Sequence, residues 1–156
     1  MRIIKLRPAI GQTFVESMKA ISLFVIGVIA SGTDSQTISV IGITICLLAF
    51  LSILIRSWYL SSLSWTVTDN QIISKKGIFT KTTDYMELYR VIDYQERQGF
   101  IQGIIGLRDI IIISGDKSHP QLVIKGIKGN KNIINIINEN VEKSKERRNI
   151  YEITNR

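Results

Sequence analysis

Cysteine and histidine are almost missing from this chain of 156 residues, which holds one of each, Cys46 and His119. A single pair excludes a disulfide framework and a zinc site within one chain, and leaves little for a thiol–imidazole nucleophile. His119 precedes Pro120 at a strand start, where an exposed turn imidazole is expected rather than a general base. Also absent are a Gly-x-Ser-x-Gly elbow and a phosphate-binding Walker loop. Carboxylates are scattered, and Asp93 and Glu96 fall on opposite faces of a strand by its two-residue period, a poor acid–base pair. Charged residues make up only 21% of the chain, so apolar residues must be concentrated somewhere, and a disordered or collagen-like chain is excluded. No catalytic residue, metal ligand or cofactor is expected.

Uninterrupted apolar sequence is what the first third supplies. Residues 38–55 (ISVIGITICLLAFLSILI) are apolar on every helical face, and as a helix they would be about 27 Å long. A buried core helix of this kind needs a large protein around it, and the remaining chain is too short to build one. A weaker run lies between Lys19 and Asp34; Phe14, Val15 and Met18 extend it to a full span if Lys19 snorkels. Two transmembrane helices are therefore predicted at about residues 14–31 and 38–58, within an N-terminal region of residues 1–60. A secretory signal is the rival reading of the first run, with Ala30, Ser31 and Gly32 at its end, but the lead is too long. The intervening loop has Asp34 and no Lys or Arg, whereas Arg2, Lys5, Arg7, Lys19 and Arg56 flank the hairpin. The positive-inside rule then places both termini in the cytoplasm. Phe14, Lys19, Arg56, Trp58 and Tyr59 are the expected membrane-interface anchors. Gly27, Ala30, Gly42 and Ala49 would allow close helix contacts within or between chains, and Cys46 reads as an inert mid-span residue.

Residues 61–156 read as a separate domain of short strands separated by turns. Trp65-Thr66-Val67-Thr68 and the run 71–76 flank Asp69-Asn70, a hairpin. Further strands are predicted at 78–86, 91–98, 107–114 and 121–127, six in all. The glycine-punctuated stretch Gly103-Ile104-Ile105-Gly106 lacks the basic residues of a single-stranded nucleic-acid clamp and reads as a core-packing turn. From about residue 131, capped by Asn130 or Asn132, a helix carries Ile133, Ile134, Ile137 and Val141 on one face, a stripe suited to covering the sheets. Lys143, Lys145, Arg147 and Arg148 alternate with Glu142 and Glu146 as a solvated helix end, followed by a tail with Ile150, Tyr151 and Ile153.

The two apolar helices, the strand Trp65–Asn70, the turn Lys76-Gly77-Ile78-Phe79, Glu87-Leu88-Tyr89-Arg90-Val91-Ile92-Asp93, and the stretch from Ile101 to Leu107 occur in a particular order. In this order the chain resembles the membrane-anchored bacterial pleckstrin-homology-like (PH-like) domains, the class catalogued as domain of unknown function 304. The resemblance runs from about Arg7 to Val141. It implies a mainly-β PH-like fold of two antiparallel sheets with six or seven strands, capped by a C-terminal α-helix, in a bacterial inner-membrane protein. It carries over no catalytic residue. The chain departs from the family at Glu87, where relatives often have Pro, and at Gly103, where they often have Arg; any phosphate contact by that arginine is missing.

Two basic turns are the candidate sites. Lys125, Lys128, Gly129, Asn130 and Lys131 form a lysine- and glycine-rich turn into a helix N-terminus, with the ingredients for holding a phosphate or lipid headgroup. An ordinary strand-to-helix turn with solvated lysines explains the same residues. Lys75, Lys76 and Lys81 form a second basic edge, for which blunting an edge strand is sufficient cause. The first hairpin turn is acidic, which disfavours inositol-lipid recognition. The surplus of four basic residues in 57–156 has no basic helix stripe with aromatic neighbours, so no nucleic acid is expected. The sequence therefore predicts a non-enzymatic, membrane-anchored interaction or assembly module. Its partners would be membrane lipid and either another protein or further copies of itself; an anionic headgroup sensor is the alternative.

Overall fold

The computed structural model describes residues 3–116, 120–129 and 132–148. His119, Asn130, Lys131 and the tail with Ile150, Tyr151 and Ile153 lie outside the described residues, as does the side chain of Asn132. Two helices, α1 (Ile10–Ser31) and α2 (Gln36–Ser62), form an antiparallel hairpin. Both are long and apolar enough to cross a membrane, with mean hydropathies of 1.7 and 2.8 over their most apolar stretches, of which only 11% is buried. Glycine lets the two backbones touch: a Cβ on Gly42 would stand 2.5 Å from the Ser31 nitrogen and 2.7 Å from the Gly27 oxygen. The small residues read from the sequence thus serve contacts within the hairpin, where Ala20 and Ala49 are also buried. Each helix runs about one turn further at the open end than predicted, because Gln12 and Leu60 there are buried against the β domain.

Among the described residues the β domain has seven strands in two antiparallel sheets. β1 (Ile4–Leu6), β2 (Ser64–Val67), β3 (Gln71–Lys76) and β4 (Thr82–Glu87) follow that order in one sheet. β5 (Val91–Arg97), β6 (Leu107–Ser114) and β7 (Gln121–Lys128) form the other. The strand that the sequence reading lacked is β1, which precedes the hairpin and pairs with the strand that follows it, Ile4 opposite Val67 and Leu6 opposite Trp65. The hairpin is therefore inserted between two neighbouring strands of one sheet. Two local readings change. The strand placed at 78–86 begins at Thr82, since Gly77 at φ 116° starts a turn so tight that a Cβ would lie 1.9 Å from the Thr80 oxygen. The stretch after Gly99 contains a short helix, α3 (Phe100–Ile104), fastened by Gln102 Oε1, which accepts from the Gly99 N–H at 2.8 Å. Ile104 and Ile105 are exposed, so this is not the core-packing turn expected.

Alternation explains the core. Trp65 and Val67 from β2, Ile72 from β3, Met86 from β4, Ile110 and Ile112 from β6 and Ile124 from β7 all point inward. The final helix, α4 (Asn132–Arg147), closes them with Ile137 and Val141 fully buried and Ile133 and Ile134 partly so, the stripe predicted at three- and four-residue spacing. Leu6 and Leu60 join the same cluster, so residues from both sides of the hairpin share one core with the sheets.

Candidate functional site

Strand direction sorts the domain into two ends. Lys75 at the end of β3 lies opposite Ser64, which follows α2 directly. Lys128 at the end of β7 lies opposite Leu107, whose Cδ1 is 3.3 Å from where a Gly11 Cβ would be. Both basic turns therefore stand at the hairpin end, and the acidic Asp69-Asn70 turn stands at the other.

At the hairpin end a polar network joins α1 to the three-stranded sheet. The Ala9 N–H donates to the Gly126 oxygen at 2.8 Å. Gln102 Nε2 donates to Gln12 Oε1 at 3.0 Å and to Asp109 Oδ1 at 2.9 Å, and the same Asp109 oxygen accepts the Gly126 N–H at 2.7 Å. Gln12 and Gln102 are both buried, so each amide has exchanged water for a protein partner. Lys125 Nζ bonds Glu16 Oε1 at 3.1 Å, and Arg56 donates to the Glu16 carbonyl at 3.3 Å.

These contacts define what remains of the first basic turn. Lys125 is engaged with Glu16. The Gly129 N–H, a candidate phosphate donor, is given to the Gly106 oxygen at 2.9 Å. A Cβ on Gly129 would come within 2.6 Å of the Arg108 guanidinium, which itself bonds Glu96 at 2.6 Å. Lys128 is exposed, and Asn130 and Lys131 are outside the described residues. On the second edge Lys75 and Lys81 are exposed, while Lys76 pairs with Asp84 at 2.8 Å. The hydrogen bond that Lys76 donates to Asp84, then the charge of that carboxylate, raises the Lys76 ammonium above its ordinary range.

The expected interface anchors lie in the half of the hairpin nearer the β domain, and Phe14, Lys19, Arg56, Trp58 and Tyr59 are all exposed. Trp58 meets Phe79 of the β3–β4 turn edge to face, with ring centroids 5.8 Å apart. A cleft of about 240 Å³ opens between β4 and β7, lined by Tyr59, Trp65, Lys76, Asp84, Leu122 and Lys125. Further from the hairpin, a groove of about 310 Å³ runs between β5 and α4 past Ile92, Tyr94, Asn138 and Glu142.

The opposite end carries a cluster that the sequence did not reveal. Arg147 donates to Asn70 Oδ1 at 3.0 Å, and Arg148 lies 4.0 Å above the Tyr89 ring and 3.7 Å from Glu87. Arg90 contacts Asp116 at 3.3 Å, and its guanidinium is raised chiefly by its hydrogen bond to Tyr89. The helix end read as solvated is thus fastened to β-domain turns, a contact that helical periodicity does not encode. Among the described residues no group of three or more His, Cys, Asp or Glu is placed to hold a metal ion. Among the described residues the chemistry on offer is charge and apolar surface.

The family model for the bacterial PH domain matches residues 19–141, from within α1 to the second half of α4. No curated protein and no solved structure gives a significant match.

Proposed function

Since the chain belongs to the bacterial PH domain family, we propose that it is a non-enzymatic assembly module, anchored by its two apolar helices in the inner membrane of a bacterium. Both termini face the cytoplasm, by the distribution of Lys and Arg around the hairpin. The observation that carries this reading is the pairing of β1 with β2 across the hairpin, reinforced by the Gln12–Gln102–Asp109 network. A domain on a flexible linker samples all orientations; one sewn to its anchor at two places presents the same faces continuously. Tethering also supplies effective concentration at the surface, so modest affinities suffice. With the hairpin end turned to the bilayer, the outer margin of the β5-β6-β7 sheet, where β5 runs beside α4, is the face offered to a protein. Ile92 on that edge is 67% exposed, and an added strand is the recognition mode that such an edge supports.

Gentle crosslinking in the native membrane, then mass measurement of the detergent-purified full chain, tests the reading. A defined oligomer or a reproducible companion is expected, and Ile92→Lys, which places a charge on the edge, should release it. A lone monomer in both proteins would overturn the assembly reading.

The second reading, an anionic headgroup sensor, draws support from the position of Lys128 and Gly129 at the hairpin end. Lys125 is weakened as a contributor by its bond to Glu16. Charge reversal at Lys125, Lys128 and Lys131 should then lower the phosphatidylglycerol retained by the purified protein, with salt doing the same. Unchanged lipid would discard the sensor.

A further inference from the structure

Four large apolar side chains on the connections at the hairpin end stay exposed among the described residues: Phe79 is 89% exposed, Phe100 87%, Ile104 71% and Ile105 40%. They belong to the connections of two different sheets. The β3–β4 turn lies against α2, where Phe79 meets Trp58 and Ile78 shares an open cavity with Ile55 and Tyr59 and with the charged Glu16 and Arg56. The α3 connection lies against α1, where Ile105 Cδ1 is 3.1 Å from where a Gly11 Cβ would be. The close backbone approach of Gly27 and Gly42 sets these helices in register, and the bond from Arg56 to the Glu16 carbonyl agrees with it. It puts Trp58 level with Phe14, and Gly11 about one helical turn further out. The two apolar connections thus stand on either side of the hairpin, at the depth where its sequence changes from apolar to basic and aromatic.

We propose that the β3–β4 turn and α3 are a pair of apolar wedges set in the headgroup–acyl boundary of the leaflet from which the hairpin emerges. The bilayer itself, as well as the hairpin, then fixes the domain's orientation. Exposed Lys75, Lys81 and Lys128 at the same end suit an anionic leaflet, and aromatic rings settle at this depth. The inference rests on the membrane-spanning reading of α1 and α2.

The test uses the full chain in phosphatidylethanolamine/phosphatidylglycerol nanodiscs, on a Cys46→Ala background. Spin labels are attached singly at Phe79→Cys, Ile104→Cys, Leu51→Cys and Ile92→Cys. Leu51 reports the span itself and Ile92 the aqueous side. Labels at 79 and 104 should collide with oxygen severalfold more than with a water-soluble nickel chelate, as the label at 51 does, while the label at 92 shows the reverse. Because a label replaces the side chain under test, Phe79→Trp on a Trp58→Phe background gives an independent depth, read as the quenching by brominated lipid beyond that of the same background, in which only the buried Trp65 emits. Lipid contact at 51 with water contact at 79 and 104 and no quenching beyond the background overturns the wedges and leaves the span intact. Water contact at 51 overturns the span and the wedges with it.

Discussion

A methyl group on Gly126 would sit 2.4 Å from Gln12 Cγ and 2.5 Å from Gln12 Cβ, on a backbone at φ 60° that side chains avoid. Gly126→Ala therefore combines left-handed strain of about 1–2 kcal/mol with overpacking of about 1–3 kcal/mol, at the point where β7 meets α1. We expect a clear drop in melting temperature in detergent. Gly103→Ala, where the nearest atom is 3.9 Å from the new methyl and φ is ordinary, should be neutral or slightly stabilising. Equal effects from the two would show that the α1–β7 approach is looser than described. Lys76 is held by its pair with Asp84. Its pKa is raised by Asp84, so its contribution is fully present below the ordinary value and is lost as pH rises through the raised one. The side chain is 47% exposed, which limits the pair to about 0.2–1 kcal/mol. The stability difference between wild type and Lys76→Met should be constant from neutral to mildly alkaline pH and shrink in strongly alkaline buffer. A difference that changes between pH 6 and 8 would assign the effect to another group.

Among the elements, the long periodic ones were legible: the uniformly apolar α2, the one-sided Ile137–Val141 stripe of α4, and the β-branched run of β6. Each repeats a pattern often enough to outweigh its neighbours. β1 was not legible, since three residues, Ile-Lys-Leu, contain too little alternation, and its partner Ser64–Val67 lies beyond two helices. The β3–β4 turn was misread because Ile78 and Phe79 carry strand-like side chains, whereas the positive φ at Gly77 decides the backbone. The candidate turn at 125–131 was legible as basic, but the engagement of Lys125 by Glu16 joins residues 109 apart, which spacing cannot show. β1 also yields a prediction. Lys5→Pro removes a backbone donor from the middle of β1 and disfavours extended pairing there. Amide exchange should then rise at residues 64–67 and leave β6 protected; uniform protection would mean that β1 contributes nothing to the sheet.

For the whole molecule, the pairing of β1 with β2 constrains topology more tightly than charge does. β1 stands before the hairpin and β2 after it, so their pairing requires both to lie on one side of any membrane the helices cross, and requires an even number of crossings. The loop at residues 32–35 then lies on the far side, and Lys5, Ile92 and the β domain on the near one. In the orientation proposed above the near side is the cytoplasm, which would put Lys5, Arg7, Lys19 and Arg56, all flanking the open end, on the side that the positive-inside rule favours. In intact cells carrying the Cys46→Ala background, a membrane-impermeant maleimide should label Ser35→Cys and spare Lys5→Cys and Ile92→Cys until the membrane is opened. Labelling of Lys5 and Ile92 with Ser35 protected would keep the pairing and invert the orientation. Labelling of Lys5 and Ser35 with Ile92 protected would place β1 and β2 on opposite sides, and the shared sheet could not exist in the membrane.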